Sequence, residues 1–117
     1  MKNKSLEDLQ KTLADFAKSR GWDKFHSPKN LSMALSVEAS ELIEIFQWLT
    51  EEESKNLSSE QLTQVEEEMS DVLLYLLQLS RKLNINILEA AYRKLEVNNK
   101  KYPIEACFGS AKKYTEL

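Results

Sequence analysis

Four carboxylates stand in two pairs at helical spacing, and each pair lies beside a run of apolar residues. Glu38 and Glu41 are three residues apart, and Glu68 and Asp71 repeat that spacing further along the chain. Apolar residues recur around each pair with the period of an α-helix, so the carboxylates fall within or next to apolar stripes. An amphipathic helix normally carries its acidic residues on the opposite face. The position of both pairs therefore needs a physical explanation.

A divalent cation would supply that explanation. Two carboxylates one helical turn apart repel each other by roughly 3 kcal/mol at an effective dielectric constant near 20. Four of them in one space would be costly, or would be forced to take up protons. The alternative is that these pairs are ordinary solvated acidic faces, because Glu-rich helices are common. We assign that solvated role to the other glutamates nearby: Glu44, Glu51, Glu52, Glu53, Glu66 and Glu67.

The composition restricts the kind of metal. The 117 residues include one histidine, His26, and one cysteine, Cys107, whereas zinc and di-iron sites require such ligands in numbers. Oxygen ligands alone favour Mg²⁺ or Mn²⁺, which proteins commonly share with a phosphate. A single cysteine excludes an intramolecular disulfide, and no base can be placed beside Cys107 to make it a nucleophile.

The elements that must position these residues are helices. Hydrophobic periodicity and capping residues predict helices at 6–20, from Ser27 and Pro28 to about Leu49, at 51–56, from Ser58 or Ser59 to Leu83, and from the Asn86 cap to Pro103. The prediction is an all-α fold of the four-helix-bundle type. We expect a single domain over residues 1–117, with a core at about 5–103 and a tail at 104–117 that is loosely held or used in assembly.

The third long helix predicts association between copies of the chain. From Val72 to Leu79 it is apolar nearly all round, with Tyr75 and Gln78 as the interruptions. A helix without a polar side is buried on all sides, and a chain of 117 residues can hardly surround it. We therefore expect the helices to pack across a homo-oligomer interface.

Charge and hydropathy argue against a nucleic acid or a membrane as the partner. A net charge of −3 argues against a general nucleic-acid binder, which would carry a basic patch. The chain shows no export leader and no apolar run of about 18 residues. We expect a cytoplasmic protein without a membrane partner.

The motifs together resemble a known family, the MazG-related all-α nucleoside triphosphate pyrophosphohydrolases, and most closely its small dCTP pyrophosphatase branch. The resemblance covers about residues 13–103. It is carried by Glu38-x-x-Glu41-x-x-x-x-Phe46-Gln47-Trp48, Glu67-Glu68-Met69-Ser70-Asp71-Val72-Leu73-Leu74-Tyr75, Phe25-His26-x-Pro28-x-Asn30 and Lys94-x-x-x-Asn98-x-x-x-Tyr102-Pro103.

This resemblance implies a metal-dependent enzyme. The family's metal motif maps onto Glu38, Glu41, Glu68 and Asp71, which become the expected Mg²⁺ ligands and catalytic residues, with Mn²⁺ as a possible substitute. Members hydrolyse a (d)NTP to the monophosphate and pyrophosphate and assemble as dimers or as tetramers of paired dimers. Glu41 is the first candidate for the group that accepts the proton of the attacking water.

Substrate-binding candidates follow from the same resemblance and from side-chain chemistry. Trp22, His26 and Trp48, with Phe25 as a further candidate, offer rings that stack on a base or reach its edge, although Trp48 and Phe25 would also suit the core. Tyr75 would lie near the sugar, or else in an interface. Lys94 and Asn98, with Lys101 as a weaker candidate, would hold phosphate or sugar oxygens. Asn30 suits either a helix cap or a base contact.

The preferred prediction is removal of non-standard or excess deoxynucleotides, with dCTP or a related deoxynucleotide as the substrate. Two alternatives remain open. One is a dUTPase-like or broad-specificity nucleotide pyrophosphatase with the same metal site. The other is a helical oligomerisation module without catalytic activity, against which the four carboxylates speak.

Overall fold

The computed structural model describes residues 5–117, and every regular element in that range is helical. In chain order the elements are α1 (Leu6–Ser19), a 3-10 turn (Asp23–Phe25), α2 (Pro28–Phe46), α3 (Glu51–Ser54), α4 (Ser59–Lys82), α5 (Ile87–Lys101), α6 (Ile104–Cys107) and a second 3-10 turn (Tyr114–Glu116). The predicted all-α fold is confirmed. No helix of residues 5–117 has both the length and the apolar character needed to span a membrane.

The chain divides into two compact units, Met1–Ile85 and Asn86–Leu117. In the first unit α2 and α4 make the most extensive packing between elements, and α1 also packs on α4. The buried apolar residues come from all three of these helices: Ala17, Leu31, Val65 and Leu77. The single domain predicted for residues 1–117 stays a prediction.

Capping side chains begin the helices where the sequence predicts. Each cap accepts a hydrogen bond from the backbone N–H three residues later, which satisfies a donor that the helix itself leaves unpaired. Thr50 with Glu53 and Ser58 with Gln61 form reciprocal capping boxes. The remaining caps are Ser5, Ser27 and Asn86.

One helix boundary differs by three residues from its prediction. α2 ends at Phe46 rather than near Leu49. Thr50 takes extended backbone angles to cap α3, so the chain must leave the helical conformation before it. The other ends agree within one or two residues, and Gly21 and Asn84 follow α1 and α4 with positive φ angles of 65° and 54°, as expected after a helix C-terminus.

The tail has more structure than its sequence predicts. α6 and the second 3-10 turn both lie beyond Pro103. Within the second unit, Tyr114 meets Tyr102 edge-on with ring centroids 6.1 Å apart, and the Lys101 ammonium lies 4.7 Å from the Tyr114 ring centroid. These contacts fix the tail against the end of α5.

A single chain leaves part of α4 exposed. Met69 is 57% and Leu73 38% exposed, so this helix is not buried on all sides by its own chain. The exposed apolar surface is in keeping with the predicted homo-oligomer, which stays a prediction.

Candidate metal centre

Three of the four predicted carboxylates meet where α2 packs on α4. Glu38 and Glu41 lie one turn apart on α2, and Glu68 belongs to α4. One carboxylate oxygen from each of the three lies within 4.8 Å of the others. The pairing of these helices thus produces the cluster that the helical spacing predicts.

The cluster holds its charges at an energetic cost. Oε2 of Glu38 and Oε2 of Glu68 are buried without a hydrogen-bond partner. Burial, followed by the hydrogen bond and charge of Glu41, raises the pKa of Glu38 from 4.5 to about 7, and the same causes raise the pKa of Glu68. Without a cation, Glu38 is therefore partly protonated at neutral pH.

Asp71, the fourth predicted ligand, lies beside this cluster rather than within it. Its negative charge contributes to the raised pKa of both Glu38 and Glu68, which places it close to them. Its half-buried side chain also lines a neighbouring cavity. Asp71 therefore joins the acidic cluster to that cavity.

These residues fit a hard divalent cation. The donors are all carboxylate oxygens, two buried oxygens have no partner in the described residues, and a positive ion would remove the repulsion that raises the pKa values. Mg²⁺ and Mn²⁺ prefer such oxygen ligands. The donor set does not match typical zinc sites, which include histidine nitrogen or cysteine sulfur ligands.

A cavity of about 220 Å³ lies beside the cluster, and three predicted substrate-binding residues line it. They are Trp22, His26 and Tyr75. Trp22 packs edge-on against Phe16, which also lines the cavity, with ring centroids 5.7 Å apart. Aromatic rings and the carboxylate of Asp71 thus line the same cavity.

His26 is neutral in this environment. Burial first, and then the positive charge of Lys82, lower the pKa of the imidazole below its usual 6.5. Its Nδ1 atom is buried without a hydrogen-bond partner among the described residues. At pH 7 the ring therefore offers one donor and one acceptor rather than a positive charge.

The turn that carries Trp22 and His26 is tied to the end of α4. Oδ1 and Oδ2 of Asp23 each lie 2.9 Å from a cation, Arg81 Nη2 and Lys82 Nζ respectively. These hydrogen bonds, Lys82 first and Arg81 second, lower the pKa of Asp23 to about 2. The ion pairs hold the aromatic wall of the cavity against α4.

The other predicted substrate-binding residues are not among those that line this cavity. Trp48 is 87% and Phe25 59% exposed and neither lines the cavity, so the interpretation of either as a core residue is wrong for the single chain. Asn30 is not the cap of α2, because Ser27 takes that position. Its Nδ2 donates to the carbonyl of Phe25, and its contact with a base stays a prediction. Lys94 and Asn98 belong to α5 in the second unit, and their phosphate or sugar contacts stay predictions.

The sequence analysis did not identify Gln78, Asp23 or Arg81 as parts of the site. Gln78 is 3% exposed and lines the cavity. The sequence did mark Gln78 as unusual, because a glutamine interrupts the apolar run of α4. The ion pair between Asp23 and Arg81 spans 58 residues of sequence, and no local sequence pattern predicts such a contact.

Comparison with known proteins finds one matching family and several relatives. The MazG-like family matches residues 33–117. Curated relatives named dCTP pyrophosphatase 1, from Bos taurus and Homo sapiens, are each 39% identical over 115 residues, which cover 97% of this chain and 68% of the relative. A crystal structure of a pyrophosphatase from Archaeoglobus fulgidus is 44% identical with a TM-score of 0.81, covering 88% of this chain and 96% of that one.

These matches show more than a shared fold, because both the sequence identity and the structural similarity extend over most of the chain. The names of the relatives agree with the predicted enzyme class, nucleotide pyrophosphatase, and disfavour the alternative of a module without catalytic activity. The resemblance seen in the motifs is confirmed: the chain belongs to the MazG-like family.

Proposed function

We propose that this chain is a Mg²⁺-dependent pyrophosphohydrolase that converts a deoxynucleoside triphosphate, with dCTP as the first expected substrate, to the monophosphate and pyrophosphate. The observation that carries the proposal is the position of Asp71, which connects the acidic cluster to an aromatic cavity. A nucleotide needs both features, a cation for its phosphates and rings for its base.

The carboxylates provide the phosphate end of this site. Glu38, Glu41, Glu68 and Asp71 would hold Mg²⁺, with Mn²⁺ as a substitute. The bound ion would neutralise phosphate charge and lower the pKa of a water molecule. Glu41 would accept the proton of the water that attacks the α-phosphorus, and pyrophosphate would leave.

The cavity provides the nucleoside end. Trp22 would stack on the base, and the neutral imidazole of His26 would reach its edge. Tyr75 lies one turn after Asp71 on α4 and lines the cavity, so it would lie beside the sugar. A volume of about 220 Å³ accommodates a base but leaves the triphosphate to extend toward the carboxylates.

The names of the curated relatives support dCTP as the first expectation. A preference for dUTP or a broad specificity would use the same carboxylates and change only the contacts within the cavity.

The deciding experiment measures pyrophosphate release from the deoxynucleoside and ribonucleoside triphosphates, with Mg²⁺ and with EDTA. The variants are Glu41→Gln and a matched control, Glu44→Gln, which changes an exposed carboxylate one turn later on the same helix. We expect metal-dependent release by the wild type and the control, and a loss of at least a hundredfold in Glu41→Gln. Absence of release from every nucleotide by folded protein with Mg²⁺ would refute the proposal.

A further inference from the structure

Gln78 is a buried amide with an orientation fixed by its neighbour. Its side chain is 3% exposed, and its Oε1 atom accepts hydrogen bonds from Arg81 Nε at 3.0 Å and Arg81 Nη2 at 2.9 Å. A guanidinium can only donate. The oxygen of the amide must therefore face Arg81, and the nitrogen must face away.

The nitrogen turns toward the cavity. Nε2 of Gln78 donates to the carbonyl of Leu13 at 3.5 Å, and both residues line the cavity, whereas Arg81 does not. A bond of that length is weak, since N–H···O distances usually lie near 2.9 Å. It is the one hydrogen bond that Nε2 makes within residues 5–117, so the amide keeps an N–H available for a ligand.

Arg81 is itself held in place. Its Nη2 atom also donates to Asp23 Oδ1 at 2.9 Å, so one guanidinium bonds the amide of Gln78 and the turn that carries Trp22 and His26. The orientation of the amide and the position of the aromatic wall are thus set by the same side chain.

We propose that Gln78 determines specificity in the cavity by donating an N–H to an acceptor atom of the ring that enters it, and that Arg81 is the positioning residue that aims this donor. The ligand class is a nucleobase with a carbonyl oxygen or an unprotonated ring nitrogen at the edge that meets α4. This inference rests on the proposed function, because it takes the cavity as the base site.

The test is equilibrium binding of dCTP, dTTP, dATP and dGTP by calorimetry, with Ca²⁺ replacing Mg²⁺ to suppress turnover. Gln78→Leu removes the donor and keeps the approximate volume. Gln78→Glu keeps the bond to Arg81 but carries only acceptors at the cavity. Both variants should weaken binding of the preferred nucleotide about three- to tenfold, as expected for one lost hydrogen bond. The affinities for the four nucleotides should then differ less from one another than they do in the wild type.

Gln10→Leu is the matched control. Gln10 also joins α1 to α4, because its Nε2 donates to the Leu77 carbonyl at 3.2 Å and to Ser80 Oγ at 3.0 Å, but it does not line the cavity. This variant should lower the melting temperature while leaving affinity and ranking unchanged. A merely structural role for Gln78 would make its variants behave like this control.

The outcomes separate the two proposals. If both Gln78 variants bind each of the four nucleotides with an affinity within twofold of the wild-type value and with the same order of preference, the specificity role of Gln78 is refuted. The proposed hydrolase activity is not affected by that outcome. If the wild type binds none of them, the cavity is not a base site and the inference fails. Pyrophosphate release is measured separately and decides whether the chain is a hydrolase.

Discussion

Arg81 Nη2 lies 2.9 Å from Asp23 Oδ1 and joins the end of α4 to the 3-10 turn that precedes α2. Lys82 Nζ reaches the other oxygen of the same carboxylate at 2.9 Å. Exposed ion pairs contribute little stability as a rule. Here, however, two cations meet one carboxylate, and the turn they hold carries Trp22 and His26 on either side of Asp23. The two ion pairs therefore tie this turn, and with it two residues of the cavity, to the end of α4.

The first prediction concerns Asp23 and acid stability. The pKa of Asp23 is about 2 in the folded chain, whereas an unperturbed aspartate has a pKa of 3.8. Between pH 2 and 3.8 the folded state therefore binds fewer protons than the unfolded state. The stabilisation is present above pH 3.8 and is lost as the pH falls toward 2. We expect Asp23→Asn to lower the melting temperature at pH 6 and the difference from wild type to shrink below pH 3.8.

The control for this prediction is Asp15→Asn, which changes an exposed aspartate in α1. Thermal melts of the three proteins between pH 2.5 and 7 provide the measurement. A difference between Asp23→Asn and wild type that does not depend on pH would contradict the ion pairs as its cause.

The second prediction concerns Glu38 in metal-free protein. Burial and the neighbouring carboxylates raise its pKa from 4.5 to about 7, so the folded chain binds more protons than the unfolded chain in that interval. The stability that this group contributes is full below pH 4.5 and is lost as the pH rises through 7. In EDTA, the melting temperature of the wild type should fall from pH 5 to 7.5 more steeply than that of Glu38→Gln.

Glu44→Gln is the matched control, because it removes an exposed carboxylate from the same helix and should retain the wild-type slope. Equal slopes in wild type and Glu38→Gln would show that Glu38 titrates normally. The comparison requires no nucleotide and therefore tests the cluster independently of the enzymatic reaction.

The third prediction concerns cation binding. An ion that binds only the folded state at a hundred times its Kd stabilises it by about 2.7 kcal/mol, which corresponds to roughly 10 °C in a domain of this size. We expect 10 mM Mg²⁺ to raise the melting temperature at pH 7.5, and Glu68→Gln to remove most of the increase. Glu66→Gln, an exposed glutamate two residues earlier in α4, should retain it.

An equal increase in wild type and Glu68→Gln would mean that Mg²⁺ acts elsewhere on the chain. Repeating the melts with NaCl at matched ionic strength separates specific binding from screening of the acidic surface.

The sequence predicted the parts of the site that depend on local periodicity. Helical spacing paired Glu38 with Glu41 and Glu68 with Asp71, because residues three apart share a helix face whatever the tertiary structure. Capping residues located the helix starts for the same reason, since Ser27 and Ser58 act on the backbone three residues later. The all-α fold follows from these two signals.

Contacts between distant segments could not be predicted in this way. Asp23 meets Arg81 only because α1, the turn and α4 pack together, and Gln78 was seen in the sequence only as a break in an apolar run. Trp48 was predicted to contact the base, with a core position as the alternative. α2 ends two residues before Trp48, and its side chain is 87% exposed and does not line the cavity.

The fourth prediction concerns assembly of the chain. Leu62, Met69 and Leu73 on α4 are 50%, 57% and 38% exposed, and their spacing of seven and four residues places them on one face of the helix. The same periodicity places Asp71 and Gln78 on the opposite face. Copies of the chain that associate through the apolar face would therefore not cover Asp71 or the cavity that it lines.

We expect light scattering coupled to gel filtration to give the wild type a mass of two or four chains. Met69→Lys combined with Leu73→Lys should reduce that mass, because burying two unpaired lysines in an interface is costly. Thr63→Lys with Ser70→Lys adds the same charge at exposed positions of α4. These positions follow Leu62 and Met69 and lie roughly a quarter turn around the helix from the apolar face, so this variant should leave the mass unchanged. A wild type that scatters as one chain at micromolar concentration would refute the predicted association, and an unchanged mass in the Met69 and Leu73 variant would place the interface on another surface.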